Sequence, residues 1–257
     1  MRYFGTINTD VGIVKKVNQD SACLKVAEFE GIGQAAMMLV CDGMGGLVKG
    51  ELASATLIRR FSHWFENELP KCISDFSPQK TAQEWTRIIR EENHRIIQYS
   101  KQGDCNQMGP TVCGILIVNN TYLTVNVGDS RIYEISQGVH LLTEDQTFIN
   151  REIKAGRMTA EEAAVHPKRN MLLQCVGASR EVNPEYGYGT AMPNTVFMAC
   201  SDGFRHVLNE NDFYENFNPV NLTDIEAMNS NSRFLIETVK KRNERDNITV
   251  ALLKSVM

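Results

Sequence analysis

The chain has 257 residues, 42% of them hydrophobic and 23% charged, which is enough apolar material for one large water-soluble domain. Its formal charge of −4 offers no basic footprint, so neither nucleic acid nor an anionic membrane is expected as a partner. No apolar run approaches the roughly 20 residues that cross a bilayer, and the start Met1-Arg2-Tyr3-Phe4-Gly5-Thr6 lacks the uninterrupted apolar segment of a secretory signal. The seven cysteines are odd in number, and several sit inside apolar runs as small hydrophobes, which points to a reducing cytoplasm.

There is no Pro/Gly/Ser-rich linker, low-complexity block or fixed-period repeat, so residues 1–257 read as a single domain. Strands are expected at 2–8, 21–27 and 34–41. Two helices follow. In 48–69, Ala55, Ile58, Phe61, Phe65 and Leu69 recur at helical spacing, and in 82–100, Trp85, Ile88, Ile89, Ile96 and Ile97 do the same. Strands return at 111–118, 121–127 and 131–136, with Asn119-Asn120 and Gly128-Asp129-Ser130 as tight hairpin turns. A helical stretch covers 146–165, where Thr159 and Glu162 fit a capping box. Residues 166–190 read as irregular, 195–200 as a strand, 222–243 as helix and 248–253 as a closing strand. This order suits an α+β fold of antiparallel sheets covered by helices.

The chemistry is suggested by where the aspartates fall. Asp42 follows the strand 34–41, and Asp202 follows 195–200 with one serine between; Asp20 and Asp246 precede the strands 21–27 and 248–253. In an antiparallel pair the end of one strand lies beside the start of its partner. Pairing 21–27 with 34–41 would put Asp20 beside Asp42, and pairing 195–200 with 248–253 would put Asp202 beside Asp246. Asp129 lies in a turn at a strand edge. Any one of these could be a simple turn residue, since Asp-Gly and Gly-Asp favour turns. Five at strand ends fit a metal centre better, because clustered carboxylates need a cation to offset their repulsion. Oxygen-only ligands select Mg²⁺ or Mn²⁺. In Asp42-Gly43-Met44-Gly45-Gly46 the glycines allow close backbone approach, so Gly43 could offer its carbonyl to the same ion. No cysteine has an arginine six positions on, no two cysteines have zinc-motif spacing, and there is no P-loop.

These segments resemble, in order, those of the metal-dependent protein phosphatases of the PPM (type 2C) family in its compact bacterial form. They are Asp10-Val11-Gly12 with Lys15 and Asn18-Gln19-Asp20; Asp42 to Gly46; Gly50 to Ser54; Met108-Gly109-Pro110-Thr111; Val127 to Arg131; and Leu142 to Asp145. Gly156 to Thr159, His166-Pro167 with Arg169-Asn170, Ser201-Asp202-Gly203 and Asp246 to Val250 complete the set. The resemblance covers nearly the whole chain. It implies a four-layer α-β-β-α sandwich and hydrolysis of phosphoserine and phosphothreonine proteins by in-line attack of a metal-bridging water or hydroxide. It also implies two core Mn²⁺ or Mg²⁺ ions. Asp42 would bridge them, the Gly43 carbonyl would complete one site, and Asp202 and Asp246 the other. Asp20 would orient water behind the ligands, Asp129 with Asp202 would hold a weaker third ion, and Lys15 would contact substrate phosphate. Residues 146–190 would form a flap beside the cleft. A kinase acting on the same proteins is the implied opponent. Lys15, Gln19, Pro110, Gln146 and Gln174 depart from the family's usual residues. Glu51 is read as stabilising a helix N-terminus and Arg131 as structural. The alternative from another class is a phosphatase-like binding or sensing module with little turnover; its mark would be lost metal aspartates.

Overall fold

The computed structural model describes residues 1–44, 50–102, 109–178 and 180–257. Gly45, Gly46, Cys105, Met108 and the first residues of the helix expected at 48–69 lie outside the described residues. The elements run β1 (Arg2–Asp10), β2 (Ser21–Phe29), β3 (Gly33–Cys41), β4 (Gly43–Met44), α1 (Gly50–Asn67), α2 (Leu69–Cys72) and α3 (Pro78–Gln102). Next come β5 (Gly109–Pro110), β6 (Val112–Val118), β7 (Thr121–Val127), β8 (Arg131–Ile135) and β9 (Val139–Leu141). After α4 (Phe148–Lys154) and α5 (Ala160–Val165) follow β10 (Glu185–Thr190), β11 (Val196–Cys200), α6 (Asp202–Arg205), α7 (Glu210–Phe217), α8 (Ile225–Lys241) and β12 (Ile248–Val256).

Two antiparallel five-stranded sheets result, in the orders β1-β12-β11-β8-β9 and β10-β7-β6-β3-β2. Strand period decides how they stack, because successive side chains point to opposite faces. On β3, Met37, Leu39 and Cys41 pack beneath α1 and α3, while Ala36, Met38 and Val40 face the other sheet. On β12, Val250 and Leu252 meet α7 and α8, while Ala251 and Leu253 face inward. Both faces of the central strands are thus buried, which is why they read as unbroken apolar runs rather than alternating ones. The three apolar layers between helix, sheet, sheet and helix make the α-β-β-α sandwich.

The helices follow their apolar stripes. On α1, Leu57, Ile58, Phe61, Trp64 and Phe65 are buried, and Ala55 lies half-buried at the stripe's edge. On α3, Trp85 meets Phe61 and Trp64 edge-on at 5.2 and 5.5 Å between ring centroids, the geometry that ring quadrupoles favour. Asn119 takes φ +59° in the two-residue turn from β6 to β7.

Three expectations change. Gly128-Asp129-Ser130 does not close a hairpin, because β7 and β8 belong to different sheets and the chain crosses the sandwich there. The stretch 146–165 is two helices, α4 and α5, the second capped by the Thr159–Glu162 box. Within 166–190, β10 pairs with β7 as an edge strand; its sequence Glu-Tyr-Gly-Tyr-Gly-Thr holds two glycines that weaken any strand signal.

Candidate active site

Register brings the aspartates together. Ser21 lies opposite Cys41, so Asp20 and Asp42, one residue beyond each, share an edge of the second sheet. Cys200 lies opposite Val250, and Ser201 N–H donates to the Thr249 carbonyl at 3.1 Å, bringing Asp202 and Asp246 to the corresponding edge of the first. Cys200 also lies opposite Arg131, so the crossing turn delivers Asp129 beside Asp202. The two acid pairs therefore come from different sheets and face each other at one edge of the sandwich.

The backbone there is held closely. Asp42 N–H donates to the Thr111 hydroxyl at 3.0 Å and Thr111 N–H donates to the Asp42 carbonyl at 2.9 Å, while the Thr111 hydroxyl also meets that of Ser130 at 2.8 Å. Asn247 braces the loop after β1: its amide donates to the carbonyls of Val11 and Val17 at 3.0 and 3.1 Å, and its oxygen accepts from Gln19 N–H at 2.9 Å. Two glycines allow this convergence. A Cβ on Gly43 would lie 2.4 Å from the Gln19 carbonyl oxygen, and one on Gly203 would lie 2.1 Å from that of Asn247.

The electrostatics are those of crowded anions. Burial, with Asp20, Asp202, Asp129 and Asp246 nearby, pushes the Asp42 carboxyl well above the usual range, although the residue as a whole is only half-buried. Asp20 is pushed up to about 6, first by burial and also by Asp202 and Asp246; the Thr249 and Ser201 hydroxyls pull the other way without making well-aligned hydrogen bonds. Asp129 is likewise pushed up to about 6 by burial and Asp202, against the pull of Arg205.

Basic side chains of the chain lie against these acids. Lys15 Nζ lies 2.8 Å from Asp246 Oδ1. His206 Nε2 lies 3.5 Å from Asp202 Oδ2, and Arg205 donates to the Asp129 carbonyl at 2.8 Å with its guanidinium 3.7 Å from the carboxylate. Arg131 grips Asp145 through two hydrogen bonds of 2.7 Å, in keeping with a structural part. Glu51 stands in the first turn of α1, where a negative charge suits the helix dipole.

All of Lys15, Asp20, Asp42, Asp129, Asp202 and Asp246 thus meet at this edge. Among the described residues, however, no three His, Cys, Asp or Glu side chains come together closely enough to hold an ion as they stand. The donor set nevertheless fits a hard divalent ion. Both oxygens of Asp20 and Oδ1 of Asp202 are buried without a hydrogen-bond partner, an expensive arrangement unless a cation or ordered water satisfies them. Sequence reasoning missed Arg205, His206 and Glu244, whose types carry no motif; their nearness to Asp202 and Asp246 in the chain was the available signal.

The centre opens into a cleft of about 720 Å³, bounded by Val14 and Lys15 on one side and by Ile149, Ala164 and Arg169 of the 146–190 segment on the other. Two departures from the family pattern meet at the base of that segment. Gln146 Oε1 accepts from Gly128 N–H at 2.9 Å and from the Gln174 amide at 2.8 Å, while Gln174 also bonds Asn183. The segment is thereby tied to the turn that carries Asp129.

Comparison with known proteins matches the fold. Residues 13–239 match the family model for protein phosphatase 2C. A putative protein phosphatase 2C-type protein of Streptococcus pyogenes is 28% identical over 251 residues, covering 96% of each chain. The serine/threonine phosphatase of S. agalactiae superposes with a TM-score of 0.83 at 31% identity, covering 99% of this chain and 100% of that one. A PstP serine/threonine phosphatase catalytic domain, solved with 2 manganese ions, gives 0.78 at 25% identity and 99% coverage of both chains. With the fold, the acidic edge and the family match in agreement, the chain belongs to the protein phosphatase 2C family.

Proposed function

We propose that the chain is an Mn²⁺- or Mg²⁺-dependent phosphatase that hydrolyses phosphoserine and phosphothreonine in cytoplasmic proteins, opposing a kinase that acts on them. The observation that carries this reading is the convergence of five aspartates from two sheets, with buried, unpartnered oxygens on Asp20 and Asp202. Similarity to named serine/threonine phosphatases over nearly the full chain supports the substrate class. Asp42, the Gly43 carbonyl, Asp202 and Asp246 are assigned to two ions, and Asp129 with Asp202 to a weaker third. When bound, such ions supply Lewis acidity, neutralising phosphoryl charge and making water a better nucleophile at neutral pH.

The chain's own groups do the rest. Asp20, anchored by its N–H to Asn18 at 3.1 Å, has both carboxylate oxygens free to accept hydrogen bonds from the attacking water and aim it. Water oxygen bonds to phosphorus as the ester P–O bond breaks; the water gives up one proton to Asp20, the departing serine or threonine oxygen takes one from a water held at Asp129, and the products are the free hydroxyl and hydrogen phosphate. Lys15, on the cleft wall, offers its ammonium to a phosphoryl oxygen. A binding module with little turnover is not favoured, because every aspartate of the centre is present.

The direct assay is Mn²⁺-dependent release of phosphate from a phosphothreonine peptide, compared with a phosphotyrosine peptide and sugar phosphates. The phosphothreonine peptide should be strongly preferred, chelator should abolish turnover, and Asp202→Asn should cost at least about a hundredfold, as when a group central to transition-state electrostatics is lost. Chelator-resistant hydrolysis would falsify the metal reading, and metal binding without turnover would favour the binding module.

Lys15→Ala should mainly raise KM if its contact is equally strong with substrate and transition state, and Lys15→Arg should restore binding through a two-pronged grip. Identical kinetics in all three proteins would leave Lys15 as a partner of Asp246 alone.

Asp129 is assigned to assisting the leaving oxygen, which matters most for an alkoxide. Asp129→Ala should therefore slow phosphothreonine hydrolysis far more than that of an aryl phosphate, whose leaving group needs little protonation. Equal losses on both substrates would contradict that assignment.

A further inference from the structure

Asp202 and Asp246 must keep a fixed spacing if they are to share ions, yet both lie just beyond the ends of strands β11 and β12. Asp202 opens the four-residue helix α6, whose N-cap Ser201 makes no capping hydrogen bond through its side chain. Asp246 ends the loop that follows α8, where Asn243 takes φ +64°, and its side chain is 41% exposed. One largely shielded carboxylate reaches both. Glu244, with a side chain only 11% exposed, accepts from Arg245 N–H at 2.7 Å and from Asp246 N–H at 3.0 Å through Oε1. Its Oε2 lies 3.5 Å from His206 Nδ1, and the opposite ring nitrogen lies 3.5 Å from Asp202 Oδ2. His206 is four residues after Asp202, so α6 places both on one face.

We propose that Glu244 is a positioning residue which, through its own loop and through His206, sets how Asp202 and Asp246 face the metal centre. This rests on the metal reading above. Two jobs fall to one carboxylate. Oε1 gathers the N–H groups of Arg245 and Asp246, fixing the direction in which the Asp246 side chain leaves the backbone. Oε2 holds the imidazole beside Oδ2 of Asp202, which leaves Oδ1, the buried oxygen without a partner, for the ion. Partners behind a ligand commonly matter about 10–100-fold in metal affinity.

The test is calorimetric titration of the full chain with Mn²⁺, which reads binding independently of turnover. Glu244→Ala should weaken Mn²⁺ binding by about tenfold or more, and Glu244→Gln, which keeps an acceptor for the two N–H groups, by clearly less. The double variant Glu244→Ala/His206→Ala should lose much less than the product of the single losses, since both residues act as one unit. Wild-type affinity in Glu244→Ala, or losses that simply multiply, would overturn the proposal. Should Glu244→Ala fail to fold, as judged by circular dichroism, Glu244→Gln and His206→Ala complete the same cycle. A loss of about threefold in Glu244→Gln is then expected, and unchanged affinity contradicts the idea. Absence of Mn²⁺ binding to the wild-type chain would instead overturn the metal reading itself.

Discussion

Like charges gathered in a poorly solvated place repel one another, and the rest of this molecule is arranged around tolerating that repulsion at one sheet edge. Asp42 stands against four other aspartates, and burial and that company drive its carboxyl far above its ordinary range. The chain supplies part of the offset itself, through Lys15 and Arg205. What remains falls on oxygens that have no protein partner, on Asp20 and Asp202. A site that leaves anionic oxygens buried and unsatisfied costs stability unless something cationic completes it, and this supports the proposed hard ion.

Holding such a centre needs a frame that does not yield. Three apolar layers alternate with helices and sheets, and the strands β3, β11 and β12 beside Asp42, Asp202 and Asp246 are buried on both faces. Their registers are therefore fixed, since a slip of one residue would turn every side chain to the wrong layer. The loops between the strands are pinned by specific polar contacts instead. Thr111 holds Asp42 and reaches Ser130, Asn247 holds both the Lys15 loop and Gln19, and Arg205 holds the turn of Asp129. Gln146 extends this bracing outward to Gln174 and Asn183, so the wall of the cleft is anchored to the centre.

Much of this was legible in the sequence because it depends on short-range pattern. Acids at strand ends implied shared edges, and both expected pairings, Asp20 with Asp42 and Asp202 with Asp246, follow from the observed registers. That the pairs lie in different sheets was not legible, since a local pattern does not say which sheet a strand joins. For the same reason Gly128-Asp129-Ser130 reads as a hairpin although the chain crosses the sandwich there. β10 escaped notice because its glycines mask the strand and its pairing with β7 spans a long stretch of chain. Glu244, His206 and Arg205 escaped because their meaning lies in geometry: each is an ordinary charged residue until the fold sets it behind an aspartate.

The central claim is that this edge holds hard divalent ions between the two sheets. Anomalous X-ray diffraction at the manganese edge, on crystals of the protein grown with Mn²⁺, tests it most directly. Manganese peaks should stand between Asp42 and the Asp202–Asp246 pair, with one ion also touching the Gly43 carbonyl. Peaks confined to surface carboxylates elsewhere, or none at this edge at saturating Mn²⁺, would contradict the account.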